Sequence, residues 1–136
     1  MREDGTLTAI NGAAMLAQVE AWSAINTGTA NLAGLARQAS ALAEAFAVLP
    51  GTVELVDPAP VTAIAADGSA FPKPHGQHLV VRVRPQANRR IVLTGHMDTV
   101  FPADHTFQGL RWLDAETLNG PGVADMKGGL AIMLAA

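Results

Sequence analysis

Ile91-Val92-Leu93-Thr94-Gly95-His96-Met97-Asp98 opens the part of the chain from which the fold is read, and Gly120-Pro121-Gly122-Val123-Ala124-Asp125-Met126-Lys127-Gly128-Gly129 closes it. An apolar, β-branched run broken by glycine is the composition of a buried strand that stops at Gly95. His96 and Asp98 therefore stand where a strand ends. In open α/β sheets ligands gather at the carboxyl ends of strands, so position and residue type point the same way. The second stretch is a glycine-rich turn that carries one carboxylate, Asp125, into an apolar, helix-like end.

Upstream, residues 78–84 alternate, with Leu79, Val81 and Val83 on one side and Arg82 and Arg84 on the other, as in a half-exposed strand. Residues 85–88 turn the chain towards Ile91, so this strand and residues 91–95 are expected to be neighbours. Residues 52–56 and 61–65 read as two more strands, the second closed by the hairpin signal Asp67-Gly68. Prolines on both sides of Lys73 assign residues 71–76 to a loop. Two helices precede these strands. Residues 12–25 carry Met15, Val19, Trp22 and Ile25 at helical steps; residues 32–49 carry Leu32, Leu35, Ala39, Leu42, Phe46 and Leu49 on one stripe, with Arg37, Gln38 and Glu44 off it. Asn31 is the expected N-cap of the second helix and Pro50-Gly51 its stop. At this spacing Trp22 and Phe46 are core residues rather than substrate platforms.

Downstream of Asp98, an irregular loop over residues 99–108 leads into two short strands, 110–113 and 117–119. These bring the glycine-rich turn back towards His96. Residues 128–136 are apolar on every side, as in a buried helix, and no cap or charged last turn closes them, which reads as a chain cut from a longer protein. The expected class is α/β, a mixed sheet flanked by helices in a single domain.

With 136 residues, 49% of them hydrophobic, the chain can build a core. A net charge of −3 provides no basic face for nucleic acid. Cysteine is absent, so His and carboxylates are the only strong metal ligands and no thiol nucleophile exists. The acidic start Met1-Arg2-Glu3-Asp4-Gly5 lacks a signal-peptide core, and no stretch approaches the roughly 18 apolar residues of a membrane helix. A soluble, cytoplasmic protein without membrane or nucleic-acid partners is expected.

Side-chain direction repeats every second residue of a strand, so His96 and Asp98 share a face. Asp98 can then accept the ring N–H that His96 does not need for a metal, which fixes the tautomer and makes the ring a better ligand. A His-x-Asp pair alone is weak evidence, because a lone histidine near a strand end is more often a structural residue. Asp125, between glycines, strengthens the metal reading, since a carboxylate can bridge two cations about 3.5–4 Å apart. The competing reading of Asp125 is an ordinary loop residue or helix N-cap. A phosphate-binding loop is rejected, because Met126 precedes Lys127 where glycine is required and Gly128 follows where Ser or Thr is required. His75 and His78 read as solvated and His105 as a residue bordering the cleft. Arg82, Arg84, Arg89 and Arg90 read as a coat on exposed strands.

The segments 93–100 and 120–129 resemble the two signature motifs of the dinuclear zinc amidohydrolases and metallopeptidases that include glutamate carboxypeptidase, acetylornithine deacetylase, succinyl-diaminopimelate desuccinylase and aminoacylase. The resemblance implies a zinc-peptidase-like catalytic domain of which residues 1–136 form the N-terminal portion. It implies His96 as a ligand of one zinc, Asp125 as the carboxylate bridging both, Asp98 as the active-site aspartate that orients His96, and a cis peptide between Asp125 and Met126. Two Zn²⁺ ions per full-length chain are expected, with Co²⁺ or Mn²⁺ as alternatives. The general-base glutamate, the remaining ligands and a lid domain able to form a homodimer would lie beyond Ala136. The implied reaction is hydrolysis of an amide bond in a peptide or N-acyl amino acid, with the 136-residue chain alone inactive. A metal-free relative acting in binding or assembly is the alternative.

Overall fold

A computed structural model describes residues 10–136; the acidic start Met1–Gly5 lies outside the described residues. The first helix, α1, spans Gly12–Ser23, and Asn11 caps it by accepting the Ala14 N–H at 3.0 Å. The second, α2, spans Leu32–Phe46, and Asn31, the expected N-cap, accepts the Gly34 N–H at 3.1 Å. The expected stripe is inside, with Leu35, Ala39, Leu42 and Phe46 buried. It is wider than the spacing suggests, because Gln38 is fully buried and Leu32 is not. The helix ends before Pro50-Gly51, since a turn from Leu49 N–H to Phe46 O has already replaced the helical pattern.

Among the described residues the strands form three separate two-stranded antiparallel ladders rather than one mixed sheet. In the first, β1 (Gly51–Val56) pairs with β4 (His78–Val83), Val53 opposite Val81. The second is the hairpin of β2 (Val61–Ile64) and β3 (Ala70–Lys73), turned at Gly68, whose φ of 86° is a conformation that favours glycine. Here the expectation of a loop at residues 71–76 is corrected for residues 71–73, which belong to β3, while residues 74–76 are loop as expected. A two-stranded ladder leaves every second N–H facing outward, so Pro72 can sit opposite Thr62 without breaking the pairing. The third ladder is β5 (Arg111–Trp112) with β6 (Leu118–Asn119), as expected. The last helix, α3, spans Gly128–Ala135 and buries Leu130 and Ala131, while Ile132 faces solvent.

The larger correction concerns residues 91–95. They form no strand, and Ile91 and Val92 are 86% and 82% exposed. Arg84 takes a left-handed φ of 48°, the Ala87 N–H closes a turn onto its carbonyl, and β4 pairs with β1 instead. Residues 84–90 are too long a connection to set register as a two-residue hairpin would. Between α2, β4 and residues 91–98 lies an open, mainly apolar cleft of about 1050 Å³.

The core joins α1, α2 and α3 through Val19, Trp22, Leu42, Phe46, Leu130 and Ala131. Trp22 and Phe46 are thus packing residues. No helix among the described residues is long and apolar enough to cross a membrane. Truncating Leu42, which is 2% exposed, is expected to cost about 2–5 kcal/mol of stability in chemical denaturation. Val92→Thr should change it by less than about 0.5 kcal/mol.

Candidate metal centre

His96 and Asp98 leave the irregular segment on one side, and the imidazole Nδ1 lies 3.1 Å from Asp98 Oδ1 and equally 3.1 Å from the Asp98 backbone carbonyl. The opposite ring nitrogen, Nε2, lies 2.9 Å from Asp125 Oδ1. Three residues singled out from the sequence therefore meet, in the order Asp98, His96, Asp125. His96 and Asp125 remain open to solvent, Asp125 with 86% of its side chain exposed.

Asp125 owes its place to the turn that carries it. Gly122 adopts a left-handed φ of 77°, and a Cβ there would stand 3.1 Å from both the Lys127 side chain and Thr99 Cγ2. Val123–Lys127 forms one wide turn with non-helical angles at Asp125 and Met126, and the Asp125–Met126 peptide is cis. The helix starts only at Gly128 and has no side-chain cap. The N-cap reading of Asp125 therefore fails: its carboxylate faces His96, not the amides of α3. Gly95 packs closely on the other side: a Cβ there would lie 2.8 Å from Met126 Cε and 2.9 Å from Leu130 Cδ2, so the ends of these two side chains would have to shift.

Lys127 anchors the turn. Its side chain is 1% exposed, and its ammonium donates to the carbonyls of Trp22 and Ile25, each at 2.9 Å. These are carbonyls at the C-terminal end of α1, where the helix dipole favours a cation. Sequence spacing gave no sign of this tie, which joins residues more than a hundred positions apart. Burial pushes the Lys127 ammonium down to about 8.

The histidine is pulled in two directions. Burial, the largest influence, lowers its pKa, but the hydrogen bonds and charges of Asp125 and Asp98 together raise it above the ordinary value. With a carboxylate at each nitrogen, the ring is set up to hold a proton on both. A cation at Nε2 would replace the proton facing Asp125.

Zinc donors bound tetrahedrally at about 2.0–2.2 Å stand roughly 3.3–3.6 Å apart. Nε2 and Asp125 Oδ1 at 2.9 Å would need to separate by only a few tenths of an ångström. The pair fits a zinc ion as two of its ligands. Among the described residues no group of three or more His, Cys, Asp or Glu side chains is arranged to hold a metal.

The other histidines stand apart. His105 Nδ1 accepts the Phe107 N–H at 2.9 Å and its ring packs on Phe101, so it organises its own loop. His78 lies in β4 opposite Val56. His75, expected in solvent, instead has Nε2 buried on the wall of the apolar cleft, with no hydrogen-bond partner among the described residues. The arginines form no patch at the site; Arg82 pairs with Glu54 across the β1–β4 ladder. Sequence reading missed Thr29, whose hydroxyl donates to Asp98 Oδ2 at 2.7 Å. Compared with known protein families and with curated proteins, the chain matches none.

Between about 8 and 10.5 the folded state binds fewer protons at Lys127 than the unfolded state, so stability is expected to rise with pH across that window. The gain should be visible in urea titrations across that window and vanish in Lys127→Met. In an NMR titration His96 should have a midpoint above 6.5, and Asp125→Asn should lower it.

Proposed function

We propose that this chain contributes the His96 and Asp125 part of the metal site of a zinc-dependent hydrolase acting on an amide bond. The observation that supports this most is the ring of His96 held between two carboxylates while Asp125 caps no helix. The hydrolytic reaction, the peptide or N-acyl amino acid substrate and the zinc-peptidase-like architecture rest on the likeness of the two motifs. In this reading the chain is the N-terminal part of a catalytic domain, and the general base and further ligands come from elsewhere.

Each residue has a distinct task. Asp98 accepts the Nδ1–H of His96 and so leaves the Nε2 lone pair free to bind a cation. Asp125 supplies a negatively charged oxygen beside that nitrogen, and its exposure leaves room for a second cation or a substrate. Lys127 holds the turn against α1, so that the carboxylate does not drift from the ring. Zinc bound there would supply Lewis acidity, polarising a carbonyl and lowering the pKa of water.

A metal-free role in binding or assembly is favoured by one observation, that among the described residues no third donor joins His96 and Asp125 where a catalytic zinc takes about three from protein. Zinc titration calorimetry separates the two readings. The 136-residue chain is expected to bind zinc weakly and to hydrolyse no N-acyl amino acid. His96→Ala and Asp125→Ala should each weaken binding by at least about tenfold. A wild-type chain that takes up no zinc, or variants that bind it unchanged, would overturn the metal reading.

A further inference from the structure

The loop between α1 and α2 is built as a support for Asp98. Asn26 holds it closed: its Oδ1 accepts the Gly28 N–H at 3.1 Å and the Asn31 Nδ2 at 2.8 Å, and its own amide donates to Phe101 O at 3.1 Å and Gln108 Oε1 at 2.8 Å. The loop is also stitched alongside the segment that follows Asp98. Thr99 N–H donates to Thr27 O at 2.8 Å and Thr29 N–H to Thr99 O at 3.1 Å, a short parallel bridge with Thr27 and Thr99 buried. The Thr29 hydroxyl is thus fixed by its backbone next to Asp98. It has two acceptors in reach, Asp98 Oδ2 at 2.7 Å and Thr99 O at 3.3 Å, and the shorter, charged one prevails.

This contact decides which way Asp98 points. The terminal torsion of an Asp side chain is broad and two-fold, so one hydrogen bond does not hold the carboxylate in place. The His96 Nδ1–H, moreover, has two acceptors at the same 3.1 Å, the Asp98 carboxylate and the Asp98 backbone carbonyl. A donor on Oδ2 pins the carboxylate with Oδ1 towards the ring. We propose that Thr29 is a positioning residue that locks Asp98 against His96 Nδ1, so that Nε2 is the nitrogen presented to the metal. The metal half of this statement rests on the reading of His96 and Asp125 as ligands.

The test compares wild type, Thr29→Val, which keeps the β-branched shape without the hydroxyl, and Thr29→Ser, which restores it. Ring ¹⁵N shifts of His96 are measured at alkaline pH in the metal-free chain, together with zinc affinity by calorimetry and stability by urea denaturation. In Thr29→Val the neutral ring should lose Nδ1–H population in favour of Nε2–H, and zinc affinity should fall about tenfold. Thr29→Ser should return both to wild-type values. A purely structural role would lower stability and leave the ring tautomer unchanged, and that result overturns the proposal, as does a valine variant with wild-type ring shifts. If wild type binds no zinc, the metal reading fails, while the metal-free ring shifts still decide whether Thr29 governs Asp98.

Discussion

A buried ammonium on the last carbonyls of a helix holds this structure together around its site. Among the described residues Lys127 has no carboxylate partner; its charge is met by Trp22 O and Ile25 O. Removing such a cation from water is costly, and its bonds to backbone oxygens offset that cost only if the turn and the helix end stay in register. Trp22, on the same helix end, packs with Leu130 and Ala131 of α3 in the core. One side chain therefore ties the start of the chain to the turn bearing Asp125, and the apolar contacts around it make the tie rigid.

The helices were legible because helical spacing and an asparagine cap are local signals, and Asn31 caps α2 as its position implies. The meeting of His96 with Asp125 was legible for a different reason: both motifs are long, and the short β5–β6 ladder between them returns the chain on itself. Residues 91–95 illustrate what sequence does not carry. Their composition says they favour burial, but nothing in a strand's own residues names the edge it will pair with, and β4 paired with β1. Thr29 and Lys127 were hidden for a similar reason, since each acts on a residue distant in sequence. A threonine in a polar inter-helix loop and a lysine in a glycine-rich turn look like ordinary surface residues until the chain is folded.

If His96 and Asp125 are metal ligands as proposed, one pair of residues would serve two states. Asp125 and the imidazole are joined by a hydrogen bond, which keeps two polar groups in place at an exposed site. On the proposed metal reading, a cation would take the same atoms as its donors and the proton between them would leave. Proton and metal would then compete for one space, which would make affinity depend on pH even where no other group titrates. Asp98 lies on the far side of the ring.

The bare run Ile91-Val92-Leu93 has a colloidal consequence. Short, uncharged, β-prone segments without proline are the sequences that stack between molecules when they are accessible. Arg89 and Arg90 stand immediately ahead of this one and are themselves exposed. Guanidinium groups at the head of a sticky segment act as gatekeepers, because stacking copies would bring like charges together. Their contribution is to keep neighbouring molecules apart, and high salt would weaken that protection by screening it.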